Sequence, residues 1–293
     1  MLQDTPMVNP PPLQGECGIV TGKKRDGKSW WAFHEVFLQF QGPALYIDPK
    51  GADGYIGGMC PGHGDHKIPV VHTLEQLQRE KPNKAIIQIV PGARPEAFDE
   101  VVDKTIDWLI AWKSQPEMRP FPMLVVIDEA QRLMTKMKMN SQVDRLVQTC
   151  SALNISTIIV NPDYSTIPRQ LFVQSDYIVL FTAHPVILMY LEERLRTPFN
   201  NEIAQHMSQK YAGLIYDWTD CYFLNPDGTF RHYCSIMDLQ NKEDKHVDES
   251  VQDRGLDSGR DGAEPEPANV PADAPKPVGQ QPVRDNPDGG KRR

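Results

Sequence analysis

Eight residues, Gly22-Lys23-Lys24-Arg25-Asp26-Gly27-Lys28-Ser29, limit what this chain can fold into more than any other stretch. They match G-x-x-x-x-G-K-[ST] at every fixed position, the pattern of a loop that cradles the phosphates of a nucleoside triphosphate. Two glycines let the backbone turn so that successive N–H groups converge on an anion, and the helix that follows adds the positive end of its dipole. Such a loop works only between a strand and a helix. Glu16 to Thr21 (ECGIVT) reads as a short strand and Trp30 to Gln41 (WWAFHEVFLQFQ) as an apolar helix, so the context agrees with the motif. Gly22 through Ser29 are therefore the expected ATP-binding residues. Lys28 reaches the β and γ phosphates, and the Ser29 hydroxyl holds Mg²⁺.

A loop of this kind calls for a carboxylate at the end of a neighbouring buried strand to order Mg²⁺, and for a second group to polarise the attacking water. Met123 to Ile127 (MLVVI) is apolar and too short for a core helix, and it ends in Asp128-Glu129. Asp128 is the expected Mg²⁺ partner and Glu129 the expected general base. By itself an apolar strand ending in acids is a weak signal, because acids also cap the helix that follows a strand. Its value comes from being paired with the loop.

Strands and helices alternate along the chain. Ala44 to Ile47, Ile68 to His72, Ala85 to Val90, Ile155 to Asn161 and Tyr177 to Phe181 read as strands. Helices are expected over 97–113, from the acid pair through Leu133, over 142–152, 168–174 and 185–196. Leu214 to Phe223 and Thr229 to Ile236 flank Asn225-Pro226-Asp227-Gly228, a hairpin signature. The pattern predicts an α/β fold, a mostly parallel sheet with helices on both faces, plus a C-terminal β hairpin. The strand Ala44 to Ile47 closes on Asp48-Pro49-Lys50-Gly51, at the sheet edge where ligands bind in open α/β folds.

The chain has 293 residues and is 40% hydrophobic, enough for one substantial core. From about Asn241 the aromatics vanish and Pro, Asp, Glu, Gly and Gln dominate, so residues 241–293 are expected to be a disordered tail. Residues 1–14 are expected to be a flexible leader, leaving 15–240 as the catalytic domain. Nine Lys and Arg against twelve Asp and Glu give the tail −3 of the net −8, leaving −5 for the rest. A global basic field for nucleic acid is excluded, and any grip on DNA must come from local basic patches. Five scattered cysteines without a secretory signal point to reduced thiols and no disulfide. The apolar runs are too short for a transmembrane helix.

The loop, then Tyr46-Ile47-Asp48-Pro49-Lys50-Gly51, then Asp128-Glu129, resembles the FtsK and HerA superfamily of ring-forming DNA translocases over roughly residues 15–200. Within it, the small size and the lack of a membrane domain resemble the genome-packaging ATPases of tailless, membrane-containing double-stranded DNA viruses. The resemblance implies a RecA-like or HerA-like P-loop NTPase that hydrolyses ATP with Mg²⁺ and moves double-stranded DNA within a homo-oligomeric ring, a hexamer or pentamer. It implies a place in the host cytoplasm or the virion, at a packaging vertex, with a capsid or virion-membrane protein as partner and no small-molecule substrate beyond ATP. It also implies that Asn161 senses the γ-phosphate, although Asn161-Pro162 stands where the family usually has Thr-Gln. Arg169 and Arg145 are the candidates for an arginine finger acting on the neighbouring subunit. Lys23, Lys24 and Arg25 read as solvent-facing, with Lys24 or Arg25 as the alternative stabiliser of γ-phosphate charge that terminase-class motors would suggest.

Other signals are weaker. Lys136 and Lys138 are candidates for tracking DNA phosphates, against a plain solvated helix end. Cys60, His63 and His66 have ligand chemistry but no second knuckle, so a glycine-rich loop is the simpler reading. Trp30-Trp31 reads as core packing rather than base stacking. The alternatives are a P-loop kinase or other small-molecule phosphotransferase, whose arginine-rich lid and acceptor pocket are not evident, and a phage assembly protein, whose transmembrane segment is missing.

Overall fold

In the computed structural model, the described residues are 15–23, 25–49, 68–88, 94–135, 138–181, 188–189, 192–193, 199–209, 211–217, 220–226, 229–236 and 239. The expected leader, the tail and the Cys60/His63/His66 loop lie outside them, as does most of the helix expected over 185–196. The strands are β1 (Cys17–Gly22), β2 (Ala44–Asp48), β3 (Val70–Val71), β4 (Lys84–Gln88), β5 (Met123–Ile127), β6 (Met134–Thr135), β7 (Lys138–Met139), β8 (Ile155–Asn161), β9 (Tyr177–Phe181), β10 (Gly213–Tyr216), β11 (Asp220–Leu224) and β12 (Phe230–Ser235). The helices are α1 (Lys28–Trp31), α2 (Leu74–Glu80), α3 (Pro95–Lys113), α4 (Ser141–Leu153), α5 (Arg169–Gln174) and α6 (Asn201–Met207). None of the described helices is long and apolar enough to cross a membrane.

Ten strands form one sheet in the order β12-β11-β10-β9-β1-β8-β5-β2-β4-β3. The run from β9 to β3 is parallel, and β10 to β12 extend it as an antiparallel meander. The parallel strands are mostly apolar because both faces are covered. Ile19, Leu45, Ile47, Val125, Ile127, Ile178 and Leu180 face the helices α2 to α6, whereas Val20, Tyr46, Leu124, Val126, Val179 and Phe181 face α1. Period-two alternation within a continuous apolar run divides one set of strands between two cores.

Four sequence expectations change. The acid-tipped β5 does not neighbour β1, because β8 runs between them, pairing Ile19 with Ile159 and Ile159 with Ile127. The helix expected after the acid pair is a single 3-10 turn, Ala130–Arg132, followed by the β6–β7 hairpin. Glu129 adopts a left-handed conformation at φ 47° ahead of the turn, and Leu133 N–H closes on the Ala130 carbonyl at 2.8 Å, a 3-10 bond rather than an α-helical one. The strand expected over 214–223 is two strands. The Asp217 carboxylate accepts from the Asp220 amide at 2.7 Å and turns the chain between them, so the expected hairpin is a three-stranded meander. The helix expected over 30–41 continues from α1 as a wide π turn, Ala32–Phe37, closed by Leu38 N–H donating to Phe33 C=O at 2.8 Å. In addition, α2 and α6 are present without having been expected. Their starts are signed by Thr73, whose side chain accepts from the Gln76 amide at 3.1 Å, and by Asn200, whose side chain accepts from the Ile203 amide at 3.0 Å.

Candidate active site

Between β1 and α1 the chain turns tightly. Gly22, Arg25 and Gly27 all have positive φ, at 148°, 73° and 97°. Gly22 is required twice over, since a Cβ there would come within 2.3 Å of the Phe181 carbonyl oxygen as well as straining the backbone. Lys28 is buried, and its ammonium donates to the Lys23 carbonyl, inside the loop. Lys23 and Arg25 project to solvent, while Lys24 lies outside the described residues. Asp26 is half-buried. Burial pushes its carboxyl above the ordinary carboxylate range, and the Lys28 ammonium pulls in the opposite direction.

The loop and the acid pair meet. Ser29 Oγ lies 3.1 Å from Asp128 Oδ1, two groups 99 positions apart in sequence. Asp128 Oδ1 also accepts from the Glu129 amide at 2.8 Å, and Asp128 Oδ2 accepts from the Tyr46 hydroxyl at 3.2 Å. Tyr46 is fully buried on β2 with its ring edge-on to Phe33 and Phe37, so the hydroxyl cannot swing away. Burial first, and then the charges of Asp128 and Asp48, drive its pKa well above that of an ordinary tyrosine, so Tyr46 is a permanent donor at any working pH.

Glu129 is held by its neighbour. Gln131 Nε2 donates to Glu129 Oε2 at 2.6 Å, and Arg132 Nη1 anchors the same turn to the Pro49 carbonyl at 2.9 Å. A left-handed glutamate costs on the order of 1 kcal/mol and persists only where surrounding contacts hold it. On β2, Asp48 Oδ2 accepts from Gln88 Nε2 at 2.9 Å, which ties the ends of β2 and β4 together.

Asn161 ends β8 between the loop strand and the acid strand, level with Thr21. It is fully buried, with its Nδ2 donating to Thr166 Oγ1 at 3.1 Å and its Oδ1 accepting from the Asp163 amide at 3.0 Å. The side chain therefore holds the turn 163–166. Arg145 forms an exposed ion pair with Asp107 at 2.7 Å, and Arg169 is exposed at the start of α5. Lys138 lies on the β6–β7 hairpin that follows the acid turn, and Lys136, with the Lys138 side chain, is outside the described residues. The tryptophan pair divides: Trp31 is buried against Phe181, while Trp30 is 41% exposed and stacked on His34.

The donor set suits a magnesium nucleotide. A hydroxyl and a carboxylate 3.1 Å apart are hard oxygen donors of the kind Mg²⁺ takes, and the buried lysine lies on the loop beside them. Sequence reasoning singled out Lys28, Ser29, Asp128 and Glu129 from their local pattern, and the structure brings Ser29 and Asp128 together. That reasoning assigned no role to Tyr46, Gln88, Gln131 or Arg132, whose contacts depend on which strands and turns lie side by side. The one available signal was the phrase Tyr46-Ile47-Asp48, where a polar aromatic interrupts an apolar strand.

No protein-family model matches the chain, and no curated protein matches it. Among solved structures it is similar to the genome packaging NTPase B204 from Sulfolobus turreted icosahedral virus 2 in complex with AMPPCP. That match has a TM-score of 0.51 at 16% identity and covers 75% of this chain and 97% of that one. It is also similar to B204, the DNA-packaging ATPase from Sulfolobus Turreted Icosahedral Virus, with a TM-score of 0.50 at 17% identity over 75% and 97% of the two chains. At these identities the likeness concerns the fold, and the fold is that of a P-loop NTPase.

Proposed function

We propose that this chain binds and hydrolyses ATP and uses the energy to move double-stranded DNA, as a viral genome-packaging subunit working in a homo-oligomeric ring. The observation that carries the nucleotide part is the 3.1 Å approach of Ser29 Oγ to Asp128 Oδ1. That contact joins the phosphate loop to the acid strand across β8. The DNA and ring parts rest on the sequence resemblance to ring translocases and on the shared fold with a protein named for DNA packaging.

In this reading the loop amides and the Lys28 ammonium hold the triphosphate. Ser29 and Asp128 hold Mg²⁺, which when bound neutralises charge on the phosphate oxygens. Tyr46 and the Glu129 amide fix the Asp128 carboxylate from both sides. Glu129 takes the proton of the attacking water, and Gln131 sets where its carboxylate points. Asn161 ties the end of β8 to the turn 163–166 and passes on the state of the site. Lys136 and Lys138 are the proposed contacts to DNA phosphates, the second of them carried on β7 of the hairpin beyond the base. Arg169 is the better finger candidate, because Arg145 is already paired with Asp107.

The test is steady-state ATP hydrolysis by the full chain with and without linear duplex DNA, together with particle imaging in the presence of an ATP analogue. DNA-stimulated turnover and rings around duplex are expected. Turnover indifferent to DNA but raised by a small-molecule phosphoryl acceptor would refute the translocase and leave a kinase.

A further inference from the structure

We propose that Tyr211 is the platform on which the nucleobase stacks when a nucleoside triphosphate occupies the loop, an inference that rests on the proposed ATP site. The register of three strands brings it there. Gly22 at the end of β1 pairs with Phe181 at the end of β9, and Phe181 pairs with Gly213 at the start of β10. Because β10 runs antiparallel to β9, it begins at the edge where β1 ends. The residue two positions before Gly213 therefore arrives over the phosphate loop. A Cβ built on Gly27 would come within 3.2 Å of Tyr211 Cδ1, so the ring lies against the peptide unit that leads into Lys28.

Two further features mark this tyrosine. Its φ is 67°, a left-handed conformation that a bulky side chain rarely adopts. Strained residues of this kind persist only where surrounding contacts hold them. Tyr211 is also 44% exposed as a residue although it lies against Gly27 of the loop. A partly exposed aromatic side chain beside a phosphate cradle matches a nucleotide, which carries a charged end and a flat π face. A ring stacking on a π face reads no exocyclic groups, so the platform accepts adenine and guanine alike.

The experiment compares binding of ATP, GTP and inorganic tripolyphosphate, each with Mg²⁺, to the full chain and to its Tyr211→Ala, Tyr211→Phe and Tyr211→Gly variants. Tyr211→Ala and Tyr211→Gly should each lose about tenfold in affinity for ATP and GTP while tripolyphosphate binding is unchanged, and Tyr211→Phe should bind all three as wild type does. Tyr211→Gly relieves the left-handed backbone, so its Tm should equal or exceed that of wild type even as nucleotide affinity falls. A residue kept only for packing would not separate the two readouts in this way. Equal changes in tripolyphosphate and ATP affinity, in either direction, or no change in either, would overturn the assignment. Wild-type protein that binds neither ligand would instead overturn the phosphate-loop reading, and this one with it.

Discussion

Replacing Tyr46 by Phe removes one oxygen atom from the interior and should weaken both the fold and the metal site. The hydroxyl is fully buried and donates to Asp128 Oδ2 at 3.2 Å. A hydrogen bond to a charged acceptor is worth roughly 1.5–3 kcal/mol net. This one is long for an O–H donor, so the lower end applies, about 1.5 kcal/mol. In a domain of this size that corresponds to a fall of about 3–6 °C in Tm. The phenylalanine ring keeps the edge-on contacts to Phe33 and Phe37, at 5.4 and 5.5 Å, so packing is conserved. Tyr46→Leu, which loses those contacts as well, should fall further. Thermal unfolding followed by circular dichroism gives the stability, and titration of Mg²⁺ at fixed ATP analogue gives the effect on the site. The Phe variant should need more Mg²⁺ for half-saturation. A Phe variant as stable as wild type with an unshifted Mg²⁺ midpoint would refute the reasoning, because the hydroxyl would then be neither anchoring nor orienting Asp128.

Two further predictions concern acids that burial holds out of their ordinary range. Glu16 is raised by burial and then by the charges of Asp176 and Asp217, so the fold favours its protonated form. As pH rises past the pKa of the unfolded chain, the unfolded state loses its proton first and stability declines. Glu16→Gln should therefore have a higher Tm than wild type at about pH 7, with the gap closing below about pH 4, and a less stable variant at neutral pH would contradict this. Asp26 puts a carboxylate in the phosphate loop, where burial raises its pKa. Asp26→Asn should bind ATP about threefold more tightly, from removing one like charge several ångströms away through water. Weaker binding, measured by calorimetry, would mean that the carboxylate is itself a ligand.

How much of this was legible in the sequence depends on how far apart the interacting groups lie. The loop could be read because Gly22, Gly27, Lys28 and Ser29 act within one turn, and β5 because five buried residues must be apolar on both faces. Both major cores follow from strands that are largely apolar on both faces. Strand order could not be read: nothing in Ile155 to Asn161 says that it lies between β1 and β5, yet that placement puts Asn161 beside the loop. The helix expected after Asp128-Glu129 is one 3-10 turn, closed by Leu133 N–H on the Ala130 carbonyl, and the hairpin that follows pairs residues no local pattern marks. The meander escaped notice because Asp217 makes its turn with a side chain, without the glycine or proline that usually marks one. The contacts of Tyr46 and Tyr211 could not be read for one reason, which is that each meets the site only through strands paired far from it in sequence.

The most direct measurement is equilibrium binding of a non-hydrolysable ATP analogue, with Mg²⁺ and with EDTA, to wild type, Lys28→Ala and Asp128→Asn. Wild type should bind more tightly with Mg²⁺. Lys28→Ala should lose at least about tenfold under both conditions, because a charged contact to the phosphates is gone. Asp128→Asn should bind as wild type does in EDTA and lose only the gain from Mg²⁺, since the proposed role of Asp128, 3.1 Å from Ser29 Oγ, is to hold the metal and not the phosphates. Variants that match wild type in both conditions would show that Gly22 to Ser29 and Asp128, though adjacent, do not form one nucleotide site.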